Sequence, residues 1–382
     1  MANFPSNLRQ KLEQRTQANA QRTLLITDGL VDFSSNDYLG FAKIGAIEAH
    51  AQKILGESPF LNGGTGSRLL TGNHPLYDKL EQYLSSHYQV PSALVFNSGY
   101  DANVGFFSAV PQRGDIVFYD ELVHASIRDG IKMGNAQSVK FKHNDVEDLQ
   151  KKLVRLKRTS DFVEIYVVTE TVFSMDGDSP NLKQLAELCK QNSAHFVVDE
   201  AHAIGGYKKG LVFELGLKDQ LFAQIITFSK ALGGHGAAIL GGTELKDYLV
   251  NFARSFIYST ALPPHSIATT MASYYYLDSQ AGNNAITSLQ QNIAHFISVL
   301  KEKGLNDYFM PSTSPIQLMI KPGNEKVKKV ARFLNKEGFD VRAILSPTVP
   351  KGNERIRFSI HSFNTFEQLD NLLQLVKEIN NG

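Results

Sequence analysis

The chain predicts an α/β protein, with a large domain on a mostly parallel sheet and a smaller C-terminal α+β domain. Three observations carry this. From about Ile44 to Tyr258, short apolar runs alternate with helical patterns, the texture of strands covered by helices. Most of the runs are rich in Val, Ile and Phe and lack period-two alternation, as strands buried on both faces require. After Leu262-Pro263-Pro264 the texture changes to two long helical patterns, then short strands and helices. The expected division is residues 1–43 as an N-terminal helix and arm, 44–264 as the large domain and 265–382 as the small one.

In chain order, Ser6 to about Arg22 reads as a polar helix, with Ser6 as N-cap and Leu8 and Leu12 on one face. Its cations Arg9, Lys11, Arg15 and Arg22 oppose one acid, Glu13. That run is either a solvated face or a contact for the phosphates of a nucleotide-bearing substrate. Gly63-Gly64-Thr65-Gly66-Ser67-Arg68 does not fit G-x-G-x-x-G and reads as a tight turn. Pro75–Tyr88 sets Leu76, Leu80, Tyr83 and Leu84 on one helical stripe. Strands follow at Ala93–Phe96, Ile116–Tyr119, Val163–Thr169, His195–Asp199, Ile225–Phe228 and Ala237–Leu240. The last part predicts helices over His265–Leu277 and Ala285–Lys303, then strands at Ile316–Ile320, Val341–Ile344 and Arg355–Ile360. Two further helices fall near Lys326–Glu337 and Phe366–Glu378.

Composition excludes several functions. Lys plus Arg total 39 against 38 acids, so no general field steers the chain to nucleic acid or an anionic membrane. The single cysteine, Cys189, permits neither an intrachain disulfide nor a zinc site on paired cysteines, and no metal is expected. The start lacks a basic region followed by an apolar one, and no apolar stretch reaches membrane-spanning length, so a soluble cytoplasmic protein is expected. Asp199-Glu200-Ala201-His202 spells a helicase-type box. The chain contains no Gly-Lys dipeptide, however, and a nucleotide motor needs one in its phosphate loop.

A pyridoxal-phosphate site needs a lysine for a Schiff base and a carboxylate beside the ring nitrogen. It also needs N–H groups at a helix start for the phosphate. Candidates stand in order at strand ends. Val95-Phe96-Asn97-Ser98-Gly99-Tyr100 ends a strand in a glycine turn, and Asp120 to Ser126 puts His124 just past another. His195 to Asp199 ends in a carboxylate followed by Glu200 and His202, and Ile225 to Lys230 ends in a lysine. Alone, Lys230 could be a surface residue, His124 a satisfied structural side chain and Asp199 a helix cap. Together they converge on the carboxyl rim of the sheet, where ligands of such folds bind.

With these residues the chain resembles the α-oxoamine synthases, fold-type-I pyridoxal-phosphate transferases that condense an amino acid with an acyl-CoA thioester. The matching stretches are Ser35 to Gly40, Gly66 to Asn73, Asp120 to Ser126, Thr169 to Asp178, Val198 to His202 and Thr227 to Lys230. Tyr258-Ser259-Thr260, Pro347 to Pro350 and Arg355-Ile356-Arg357 complete them. The resemblance implies that Lys230 carries the cofactor and moves the substrate's Cα proton. It implies that Asp199 pairs with the ring nitrogen, His202 bonds the ring oxygen and His124 stacks on the ring. Gly99, Tyr100 and Thr227 would hold the phosphate, with Thr260 reaching it from the other subunit of a homodimer. Arg357 would clamp the amino-acid carboxylate, with Ser174, Glu170 and Asn36 lining the pocket and Arg22 and Thr348 on the substrate side. Without the family, Arg357 reads as a surface strand cation.

Within the family, Phe252 to Pro264 and Gly236-Ala237-Ala238 look like the member that joins L-alanine to a pimeloyl thioester. Gly233-Gly234-His235 is closer to the members that use glycine and acetyl-CoA. A member joining serine to a long acyl chain is a third reading, and a non-catalytic cofactor-binding regulator a fourth.

Overall fold

The computed structural model describes residues 3–24, 26, 28–56, 62–155 and 163–381. They form two compact units: residues 37–174 with 179–287, and residues 1–36 with 175–178 and 288–382. The first strand, β1 (Val31–Asp32), belongs to the smaller unit. Seven follow in the larger: β2 (Ser92–Phe96), β3 (Ile116–Asp120), β4 (Gln137–Phe141), β5 (Ile165–Glu170), β6 (His195–Asp199), β7 (Ala223–Thr227) and β8 (Ala237–Gly241). They make one sheet in the order β2-β8-β7-β6-β5-β3-β4, with only β8 running against the rest. The mostly parallel sheet is therefore as expected.

The runs lack alternation because successive residues enter two different cores. Val117, Val168 and Val197 pack into one apolar cluster, whereas Phe118, Val167 and Phe196 pack into the other on the opposite face. The strand β4 was not foreseen. It is the sheet's edge, paired only with β3, and its Gln137, Ser138 and Lys140 are exposed, so it carries no apolar run. The glycine-rich turn is packed too tightly for side chains. A Cβ on Gly64 would meet the Ala261 carbonyl oxygen at 2.4 Å, and one on Gly72 the Gly66 carbonyl oxygen at 2.2 Å. Arg68 leaves that turn to pair at 2.5 Å with buried Glu81, so it serves structure.

The helix Pro264–Asp278, expected in the small domain, lies in the larger unit. It packs along the helix Gly45–Gly56, and Tyr276 meets Phe41 edge-on with centroids 5.1 Å apart. The unit boundary falls within the helix Gln280–Glu302.

In the smaller unit, β9 (Ile316–Ile320), β10 (Phe339–Asp340), β11 (Arg342–Ile344) and β12 (Arg355–Ser359) follow. The order β11-β12-β9 is an antiparallel sheet, and β1 pairs in parallel with β10. The helices Asn324–Lys336 and Phe366–Asn381 complete it, and Leu318, Ile356, Phe358, Leu369 and Leu373 fill its core. Residues 175–178 join this unit through a buried pair, Arg355 Nη1 to Asp176 Oδ1 at 2.7 Å. The N-terminal helix is shorter than expected, Ser6–Gln17. Pro5 rather than Ser6 holds the cap position, and the chain turns away at Asn19, which has a φ of 49°. Leu8 and Leu12 are both exposed.

Candidate active site

Five strands of the larger unit, β2, β3, β5, β6 and β7, end at one rim, and a cavity of about 220 Å³ opens there. Its lining includes Gly99, Tyr100, His124, Glu170, Asp199, His202, Thr227 and Lys230, all named from the sequence. The rim gathers them because a parallel strand delivers its last side chain, and the loop after it, to the same edge.

After β2, Ser98 caps the helix Gly99–Ala109. Its hydroxyl accepts from the Asp101 N–H at 3.0 Å and donates to the Asp101 carboxylate at 2.9 Å. Gly99 and Tyr100, whose N–H groups belong to the first turn where a helix supplies no acceptor, both line the cavity, an anion-binding arrangement. A Cβ added at Gly99 would lie 3.8 Å from Thr227 Oγ1, so the helix start and the end of β7 enclose the same space. Thr227 Oγ1 is within 3.0 Å of Ser229 Oγ.

His124 follows β3 and caps the helix Ala125–Met133. Its backbone N–H donates to Glu170 Oε1 at 2.5 Å, and its Nδ1 lies 2.7 Å from Ser126 Oγ. Burial pushes its pKa down, against the nearby Asp199 carboxylate, which draws it up. Glu170, at the end of β5, is pushed up to about 8 by burial, with Asp199 adding and Lys230 opposing. Asp199 ends β6, and its Oδ1 accepts from the Ala201 N–H at 2.9 Å. His202 Nδ1 is 2.7 Å from the Tyr38 hydroxyl, and both are buried.

The box Asp199-Glu200-Ala201-His202 divides its labour. Asp199 and His202 face the cavity, whereas Glu200 points into the fold, accepting from the Val212 N–H at 3.0 Å and from the Gln224 amide.

The remaining sequence candidates lie elsewhere. Arg357, on β12, is buried and is no surface cation. Its Nη2 donates to Asn36 Oδ1 at 2.8 Å within the smaller unit. Arg22 and Thr348 meet at 3.4 Å in that same unit. Ser174, in a turn after β5, is not among the residues lining that cavity. Thr260 is also outside the lining of its own chain's cavity, and its carbonyl accepts from Asn97 Nδ2 at 2.6 Å.

The pattern of the aminotransferase class I and II family matches residues 28–376. The chain belongs to this family. Among class I and II relatives, the 8-amino-7-oxononanoate synthase of Emericella nidulans is 37% identical over 97% of this chain and 94% of its own. The enzyme of the same name from Lysinibacillus sphaericus is 34% identical over 97% and 94%. Solved structures agree in fold. Serine palmitoyltransferase of Sphingomonas wittichii superposes with a TM-score of 0.89 at 27% identity, covering 100% of this chain and 98% of that one. The 8-amino-7-oxononanoate synthase of Francisella tularensis gives 0.77 at 27%, covering 93% and 99%.

Asn103 and Ser126 also line the cavity and were not singled out from the sequence as site residues. The signal for Asn103 was available. It lies four residues after Gly99, on the same helix face one turn on.

Proposed function

We propose that this class I and II enzyme condenses L-alanine with pimeloyl-CoA, or with a pimeloyl carrier protein. The products are 8-amino-7-oxononanoate, CO₂ and the free thiol, a step of biotin synthesis. The observation that carries the reaction class is one rim cavity joining an amine (Lys230), a carboxylate (Asp199), an imidazole (His124) and a helix N-terminus (Gly99). The names of the relatives support the substrates.

These groups fit pyridoxal phosphate. Lys230 would hold it covalently, Asp199 would accept from its ring nitrogen, and His202 would bond the ring oxygen. His124 would cover a face, and Gly99, Tyr100 and Thr227 would take the phosphate. When bound, the cofactor supplies a sink for the electron pair left at Cα. Lys230 Nζ removes the Cα proton of alanine. That carbon attacks the thioester carbonyl, the thiolate leaves, the carboxylate departs as CO₂, and a proton returns to Cα. Arg357, with Asn36 on its guanidinium, offers the planar fork that a carboxylate needs. We assign Arg22 and Thr348, which meet at 3.4 Å, to substrate binding, and Glu170 accepts the His124 backbone N–H.

We assign Thr260 to the phosphate bound by the other subunit of a homodimer, in keeping with its absence from its own chain's cavity lining. By the same family resemblance we assign Ser174 to the cofactor pocket. The enzyme works in the cytoplasm. Among the described residues, no helix is long and apolar enough to cross a membrane.

One observation favours a second reading, serine with a long acyl thioester: the palmitoyltransferase superposes at 0.89 against 0.77 for the oxononanoate synthase. Thiol release from cofactor-loaded protein, crossing L-alanine, L-serine and glycine with pimeloyl-, palmitoyl- and acetyl-CoA, separates the two. Release confined to alanine with pimeloyl-CoA is expected. Preference for serine with palmitoyl-CoA, or for glycine with acetyl-CoA, overturns the substrate assignment and keeps the fold.

A further inference from the structure

A continuous chain of hydrogen bonds runs along the cavity wall, buried from Asp199 to Ser126 and part-buried where it reaches His124. Asn103 Nδ2 donates to Asp199 Oδ2 at 2.8 Å and to Ser126 Oγ at 3.0 Å. Ser126 Oγ lies 2.7 Å from His124 Nδ1, and the Ser126 backbone N–H donates to that same nitrogen at 3.3 Å. Asn103 is 2% exposed and Ser126 is fully buried, so the bonds Asn103 makes to Asp199 and Ser126 are shielded from water.

The direction of every proton in the chain follows from its ends. An ionised Asp199 can only accept, so the amide must turn its NH₂ and not its oxygen toward it. Turned the other way, the amide oxygen would face a carboxylate oxygen at 2.8 Å. The two bonds made by Nδ2, to the Asp199 carboxylate and to Ser126 Oγ, set the amide's orientation. Both NH₂ protons are then committed. Ser126 accepts one of them, which frees its own hydroxyl proton for His124 Nδ1. With a hydroxyl and a backbone N–H both directed at it, Nδ1 is an acceptor.

We propose that Asn103 and Ser126 are positioning residues that hold His124 as the neutral ring carrying its proton on Nε2, and hold Asp199 as the acceptor for the cofactor's ring nitrogen. One amide thereby ties the group under the ring nitrogen to the group over the ring face. A protonated His124 would set Nδ1–H against the Ser126 backbone N–H and leave both that N–H and the serine's hydroxyl proton without their acceptor. The charged groups facing His124 are Asp199 from β6, Lys230 beyond β7, and Arg128 and Asp129 on its own helix. Glu170 Oε1 at the end of β5 receives its backbone N–H.

This rests on the assignment of the cavity to pyridoxal phosphate, and the test separates the two. Histidine-15N-labelled protein is loaded with the cofactor, and the His124 ring signals, identified by their loss in His124→Gln, are read by two-bond 15N–1H correlation. Wild type should give the Nε2–H pattern. Ser126→Ala removes one oxygen and should bring in the Nδ1–H or protonated form. Asn103→Leu should weaken cofactor binding about tenfold, the loss typical of a hydrogen bond to a charged group. If Asn103→Leu does not fold, Ser126→Ala decides alone. An Nδ1–H ring in wild type, or an unaltered His124 pattern in Ser126→Ala, overturns the inference. So does unchanged cofactor affinity in folded Asn103→Leu. Wild type that takes up no cofactor overturns the assignment beneath it.

Discussion

The acid–base logic of the cavity is decided by single residues placed at strand ends. Asp199→Asn keeps the shape but removes the charge we propose to stabilise a protonated ring nitrogen. We expect turnover to fall at least about a hundredfold, with the fold retained, as steady-state kinetics and circular dichroism will show. Arg357→Lys replaces a planar fork by a point charge, so KM for alanine should rise about tenfold while KM for the acyl thioester stays put. Glu200 is a different case. Burial pushes it up to about 8 from an ordinary 4.5, so the folded chain holds a proton that the unfolded chain releases above 4.5. Its stabilising contribution is complete below about pH 4.5 and is lost as pH rises through about 8. The melting temperature of Glu200→Gln should therefore fall less between pH 5 and 8.5 than that of wild type. The placement of Lys230, Asp199 and His124 at the rim was legible because Asp199 ends an apolar run and the other two follow one closely. Glu200 was given no role of its own: the nucleotide box it helps to spell is excluded by the missing Gly-Lys dipeptide, and its inward partners, Val212 and Gln224, are distant in sequence. Asn103 sits mid-helix, where an amide by itself is ordinary, and only its place one turn after Gly99 marks it as sharing that residue's face.

At the scale of elements, two joints hold the surroundings of these residues. The loop before Val212 is tied to Glu200, and a Cβ at Gly210, whose φ is +95°, would meet Glu200 Oε2 at 2.3 Å. Gly210→Ala should lower the melting temperature through both strain and clash. In the smaller unit, Asp176→Ala leaves Arg355 buried without its carboxylate. It should cost about 3 kcal/mol, read as a lower urea midpoint. Most strands were legible within a residue or two, because two-faced burial leaves an unbroken apolar run. The edge strand β4 was not, since one face and one edge of it meet solvent. The N-terminal helix was overextended because the polar pattern continues past Gln17, while the turn at Asn19 depends on backbone geometry that no side-chain pattern records.

For the whole molecule, the class of fold followed from alternation of strand and helix, and the rim site followed from the class. The division between units did not. The helix Pro264–Asp278 comes after a Pro-Pro pair that reads as a boundary, yet its apolar residues fit the helix Gly45–Gly56, a partner some two hundred residues earlier that composition cannot reveal. The proposed homodimer predicts a native mass of about twice 42.4 kDa by light scattering, together with weaker cofactor retention in Thr260→Ala.

The central claim is that the chemistry is built around Lys230 at the rim of the sheet. Borohydride reduction of the cofactor-loaded protein, followed by peptide mass mapping, tests it most directly. The account predicts one phosphopyridoxyl adduct, on the peptide carrying Lys230, and none in Lys230→Ala. An adduct on another lysine, or a Lys230→Ala protein that still releases CoA from pimeloyl-CoA with alanine, would contradict it.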